Sequence, residues 1–73
     1  MEKILQIINT VLDNRNKLTI KEISNISDLR KDCGLDSLDL AELTVRIEAE
    51  YDVDIFEDGL INTIGEILEK INE

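Results

Sequence analysis

The sequence predicts an all-α domain, and three observations carry that prediction. Apolar residues recur at helical spacing near the N-terminus, at Ile4, Leu5, Ile7, Ile8, Val11 and Leu12. Residues 37–51 carry two apolar stripes, each with spacings of 3, 4 and 4. Thr63-Ile64-Gly65-Glu66 matches a capping box, a hydroxyl at the N-cap and a carboxylate three residues on, ahead of a further apolar run. Together they predict a small four-helix bundle with three main helices, one short third helix and a long loop between the first and second helices.

The first helix is expected over about residues 2–15, ended by the turn-forming "DNRNK". Residues 16–36 hold scattered apolar anchors at Leu18, Ile20, Ile23, Ile26 and Leu29 without a sustained period. "KLTIKEI" alternates as a strand would, in isolation, but a long loop pinned to the core is the preferred reading. A loop of that length in a small domain is usually functional, and this one delivers the chain to Ser37.

The second helix, residues 37–51, is the clearest. Leu40, Leu43, Ile47 and Tyr51 form one apolar stripe; Leu38, Ala41, Val45 and Ala49 form the other. A surface helix needs one such stripe to pack on its own domain. The second is either extra burial, to which the pattern leans, or a surface offered to a partner. Asp39, Glu42, Arg46 and Glu50 are expected together on another side. "YDVDIFEDG" is a break, and residues 57–62 have room for a single helical turn. Ile64, Ile67, Leu68 and Ile71 then continue as the last helix. No repeat or low-complexity linker divides the chain, so residues 1–73 read as a single domain.

Composition narrows the function. A 73-residue domain buries too little surface for a large internal active site. Aromatics are 3% of the chain, so the core must be aliphatic. Cys33 stands alone and cannot form an internal disulfide, which suits a reducing compartment. It lies in an acidic stretch that disfavours a thiolate, so it reads as a small buried residue. Without histidine there can be no histidine-based triad, zincin or Cys/His zinc site. No apolar run approaches the roughly 20 residues that span a bilayer, and "MEKILQIINT" lacks the marks of a signal peptide. A soluble cytoplasmic protein is expected.

The formal charge of −9 is unevenly placed. Residues 1–31 hold 6 Lys/Arg against 4 Asp/Glu, and residues 32–73 hold 2 against 13. The second part repels phosphate backbones, arguing against nucleic-acid binding. It favours partners with basic patches and speeds their encounter.

Two catalytic or metal readings fail on spacing. "DVDIFEDGLINT" begins like a calcium loop, with Asp52 and Asp54, but has Phe56 at the third ligand position, Glu57 where glycine is required and Thr63 at the closing position. Ser37, between Asp36 and Leu38, lacks the glycines that a nucleophile elbow needs on both sides, and no histidine could activate it. If Ser37 reacts, another protein must supply the base.

"DCGLDSLDLAELTVRIEAEYDVDI" resembles the phosphopantetheine attachment segment of acyl carrier proteins. The residues that carry the resemblance are Asp36-Ser37-Leu38, Gly34, Glu42, Leu43, the acidic "EAEYDVDI" and the loop acid Asp32. Length, acidity and helical pattern extend it over nearly the whole chain. The resemblance implies that Ser37 bears a 4′-phosphopantetheine arm, attached from coenzyme A by a separate Mg²⁺-dependent phosphopantetheinyl transferase, with Asp36 and Leu38 flanking the attachment point. The arm's thiol would hold acyl groups as thioesters, so the protein would be a carrier rather than an enzyme. A phosphodiester at a helix N-terminus is favoured by the helix dipole and free N–H groups, whereas Asp36 would oppose it, its own value lying in partner contact or N-capping.

The resemblance also implies that Asp36, Leu38, Asp39, Glu42, Val45 and Glu48 meet basic docking patches on acyl-loading and acyl-processing enzymes, the carrier itself staying monomeric. Exposed pairs of this kind contribute little each but together set on-rate and specificity. The chain departs from the family pattern at Cys33, where a larger aliphatic is usual, at Phe56, where proline is common, and at Ala49, where an acid is frequent. Arg46 interrupts the acidic stripe and is placed to pair with Glu42 and Glu50. The stretch between Ile55 and Thr63 is about two residues short. These departures suggest a specialised carrier within fatty-acid or lipid-type biosynthesis. The alternatives are an aminoacyl or polyketide carrier and, in another class, an acidic helical adaptor without a prosthetic group.

Overall fold

A computed structural model describes residues 2–57 and 59–71. Three helices follow in order: α1 (Glu2–Asn14), α2 (Ser37–Tyr51) and α3 (Ile64–Lys70). Among the described residues there is no strand, only an isolated antiparallel bridge between Asp28 and Thr63.

Each helix forms where its pattern and caps predict. α1 buries Ile4, Ile8, Val11 and Leu12 and packs on α2. α2 buries Leu40, Leu43 and Ile47. α3 starts on Thr63, whose hydroxyl accepts from the Glu66 N–H while the Glu66 carboxylate accepts from the Thr63 N–H, the reciprocal capping box. Its buried residues are Ile64, Ile67 and Leu68. These faces, with Leu29, Cys33, Leu35, Ile55 and Ile61 from the connections, make one aliphatic core.

The expected short third helix over 57–62 does not form among the described residues; Asp58 lies outside them. Residues 55–57 make a turn, whose Phe56 carbonyl accepts from the Gly59 N–H at 3.1 Å, and 60–62 run on without regular structure. The Asp54 carboxylate accepts from the Phe56 N–H at 2.9 Å, and Gly59 takes φ 122°, a backbone value that ends helical propagation.

The long connection over 16–36 is irregular, as expected, but not every predicted anchor is buried. Leu29 is buried, Ile20 and Ile23 are half-buried, and Leu18 and Ile26 are exposed. Polar bonds take the place of the missing apolar ones. The Asn9 side chain on α1 donates to the Ile20 carbonyl and accepts from its N–H, both at 2.8 Å. The Ser27 carbonyl accepts from Ile64 N–H, and the Asn25 carbonyl accepts from Gly65 N–H at 2.8 Å. The loop is thereby fastened to the start of α3.

That fastening makes Gly65 a close-approach position. A Cβ built there lies 2.9 Å from the Asn25 carbonyl oxygen, a backbone atom that cannot swing aside. Gly65→Ala is expected to lower stability by about 1–3 kcal/mol, the usual cost of overpacking, although alanine is the better helix former. Urea unfolding checks it, and a variant as stable as the parent would show that the loop gives way freely.

Candidate functional site

Ser37 is the first residue of α2, and the cap that starts the helix also holds the serine. Asp36 is the N-cap, with extended backbone at φ −99° and ψ −174°. Its carboxylate accepts from the Asp39 N–H at 3.0 Å, and the Asp39 carboxylate accepts from the Asp36 N–H at 3.0 Å. This is a capping box built from two aspartates.

Cations from the end of α1 and the loop beyond it close on the pair. The Lys17 ammonium donates to the Asp39 carboxylate, and to Asp36 Oδ2 at 3.2 Å and the Gly34 carbonyl at 3.3 Å. Arg15 lies 3.6 Å from Asp39 Oδ1 and 3.9 Å from Asp36 Oδ2. The Asp39 N–H first, and Lys17 after it, hold the Asp36 carboxyl down to about 2. Lys17 is correspondingly pushed up, chiefly by its bond to Asp39.

This arrangement corrects one sequence expectation. The pattern places Asp39 on one side with Glu42, Arg46 and Glu50, and the resemblance makes it a docking acid, yet it is fully buried. It precedes Leu43 by one turn and Ile47 by two, so it points with the core face. The four-residue spacing and the Asp36-x-x-Asp39 capping pattern were the available signals. Its Oδ1 makes no hydrogen bond and has Arg15 as its charged neighbour. No sequence pattern pointed to Lys17 and Arg15, some twenty residues away along the chain.

The other predicted positions fall on the surface. Ser37 is exposed, and its hydroxyl makes no hydrogen bond among the described residues. Leu38 is 65% exposed and Val45 67%. Ala41 and Glu48 are exposed beside them. The second apolar stripe is therefore open, against the lean of its pattern toward burial. Glu42 is half-buried and engaged: its carboxylate accepts from Arg46 Nε at 2.8 Å and from Asn14 Nδ2 at 3.2 Å, and those bonds, Arg46 first, lower its carboxyl. Arg46 thus takes the Glu42 partner, while Glu50 pairs with Lys3 on α1. Cys33 is buried, and burial first, then the Asp32 and Asp28 carboxylates, pushes its thiol up.

Beside Ser37 lies an open groove of about 240 Å³ lined by Arg30, Ser37, Leu40, Ala41, Phe56 and Leu60. Its walls are apolar apart from the serine and the arginine. An unbonded hydroxyl at a helix N-terminus, next to an apolar groove, fits an attached phosphodiester arm. The helix start has free N–H groups for the anion, and the nearby acids are neutralised by Lys17 and Arg15. Among the described residues no three Cys, Asp or Glu side chains gather to hold a metal ion, and no helix is long and apolar enough to cross a membrane.

Comparison with known proteins agrees with this geometry. The phosphopantetheine attachment site family matches residues 2–71. An acyl carrier protein of Trieres chinensis is 33% identical over 66 residues, 88% of this chain and 82% of the relative. One from Saccharopolyspora erythraea is 34% identical over 70 residues, 93% of this chain and 74% of the relative. The mitochondrial acyl carrier protein of Saccharomyces cerevisiae is 39% identical over 54 residues, and the match spans 43% of that relative's length. No solved structure matches. The fold and the match define a phosphopantetheine-dependent carrier rather than an enzyme, and the chain belongs to the acyl carrier protein family. Its cofactor is a covalently attached 4′-phosphopantetheine. Proteins of this family meet phosphopantetheinyl transferases and acyl-handling enzymes.

Proposed function

We propose that Ser37 is the attachment point of the 4′-phosphopantetheine arm and that residues 1–73 act as a single carrier domain for acyl units in fatty-acid or lipid-type biosynthesis. The observation that carries this reading is the Ser37 hydroxyl, exposed and unbonded at the first position of α2, beside an apolar groove. When bound, the arm supplies a terminal thiol that holds an acyl group as a thioester.

The chain's own residues then divide the work. Asp36 and Asp39 cap α2 and keep Ser37 at its first turn. Leu38, Ala41, Val45 and Glu48 form the open face of α2, apolar with an acidic edge, and serve as the docking surface for enzymes with basic patches. Glu42 joins that surface while held by Arg46 and Asn14. The departures at Cys33, Phe56 and Ala49 fit a specialised carrier, and Arg46, tied to Glu42, removes part of the acidic stripe. The lone buried Cys33 agrees with a cytoplasmic setting, although one relative is mitochondrial by name.

The test is intact-mass measurement after incubation with coenzyme A, Mg²⁺ and a broad-specificity phosphopantetheinyl transferase. The parent protein is expected to gain the mass of one phosphopantetheinyl group, and Ser37→Ala to gain none while keeping its helical circular dichroism. A folded parent that gains nothing, or a Ser37→Ala protein that is still loaded, would refute the assignment.

A further inference from the structure

We propose that Arg30 is a positioning residue for the prosthetic arm: its guanidinium pairs with the phosphodiester on Ser37 and so directs the arm along the groove beside it. This rests on Ser37 being the attachment point.

Placement is the first support. Arg30 and Ser37 line the same groove, and the remaining lining residues, Leu40, Ala41, Phe56 and Leu60, carry no charge. Arg30 is therefore the cation that an anion on Ser37 would face across that space.

Availability is the second. Lys17 and Arg15 are committed to Asp36 and Asp39, and Arg46 to Glu42. The Arg30 side chain makes no ion pair or hydrogen bond among the described residues. Its backbone, by contrast, is fixed. The Asp28 carboxylate accepts from the N–H groups of Arg30 and Lys31, both at 2.8 Å, and the Asp32 carboxylate accepts from Asp28 N–H at 2.7 Å. The neighbouring Leu29 is fully buried. The turn thus holds the root of Arg30 in place, and its guanidinium, which feels the Asp28 carboxylate only through space, keeps its hydrogen-bond donors open.

Charge is the third. A phosphodiester adds an anion to a domain already at −9, concentrated in the half that contains Ser37. A guanidinium presents a planar fork that matches phosphate oxygens with two parallel N–H···O bonds. The free N–H groups at the start of α2 would bind the anion from the helix side. Arg30 would bind it from the groove side, which would bias the arm toward the apolar walls.

The test uses the full chain loaded with the arm from coenzyme A, in four forms: parent, Arg30→Gln, Arg30→Lys and Lys31→Gln. Intact mass confirms one arm on each, and circular dichroism confirms the fold. Phosphorus-31 NMR of the phosphodiester is then recorded across a salt series, since salt screens an exposed ion pair. The parent resonance is expected to move with salt. Arg30→Gln should shift it by more than its linewidth and remove most of the salt response, Arg30→Lys should restore part, and Lys31→Gln should match the parent. An Arg30→Gln protein with the parent's resonance and salt response would overturn the role of Arg30 alone. Folded proteins that gain no arm at all would instead overturn the attachment at Ser37, and this inference with it.

Discussion

Asp39→Ala is expected to lower folding stability by about 2–3 kcal/mol, read as a fall in the urea midpoint, far more than loss of any other acid on α2. The carboxylate is fully buried and serves three partners. It accepts from the Asp36 N–H, completing the cap of α2, and it binds Lys17 and lies against Arg15. Loss of a capping side chain costs about 1 kcal/mol, and a polar group left without its partner costs roughly 1–3 kcal/mol. Lys17 and Arg15 are each about a third exposed, so they rehydrate and keep the penalty below the roughly 3–5 kcal/mol of a fully buried pair that loses one partner. Asp39→Asn keeps the shape and loses the charge, and should fall between parent and alanine. Glu48→Ala, on the open face, should stay within about 0.5 kcal/mol of the parent. Equal midpoints for Asp39→Ala and Glu48→Ala would show that Asp39 is a surface residue after all.

Leu43→Ala should be the more damaging change, at about 2–5 kcal/mol, the range for truncating a buried leucine. Leu43 is 0% exposed at the middle of α2, facing the core shared with α1. Native domains hold about 0.05–0.15 kcal/mol per residue, so a chain of 73 residues has little to spare. A substantial unfolded population at room temperature is expected, seen as lost helical ellipticity and a lower thermal midpoint. Leu38→Ala is the contrasting substitution. Leu38 is 65% exposed, so its truncation should leave stability nearly unchanged and weaken contact with partner enzymes instead. A Leu38→Ala protein as unstable as Leu43→Ala would contradict the division of α2 into a packed face and an open one.

Much of the fold was legible because it is written locally. α2 begins at Ser37 and ends at Tyr51, where its apolar stripes begin and end. α3 begins just after Thr63 because hydroxyl and carboxylate three residues apart satisfy each other's backbone donors. Cys33 was expected to be buried from its type and acidic surroundings, and it is. The 57–62 turn was misread because a few apolar and acidic residues cannot show whether one helical turn will hold; the Asp54 carboxylate and the positive φ of Gly59 decide that locally.

By itself, then, the sequence determined the helical class, the places of the three helices that form, the family and the serine with its motif. Each of these rests on periodicity, capping or a contiguous run of residues. Tertiary structure alone decided which of the two stripes of α2 is covered, because both have the same period and only the packing of α1 distinguishes them. It also turned Asp39 from an expected docking acid into a buried strut, by bringing Lys17 and Arg15 across some twenty residues of loop. The groove that Arg30 and Ser37 both line likewise exists only after residues 30, 37, 56 and 60 converge. No spacing rule within one segment can express that convergence, because it is settled by how the segments pack.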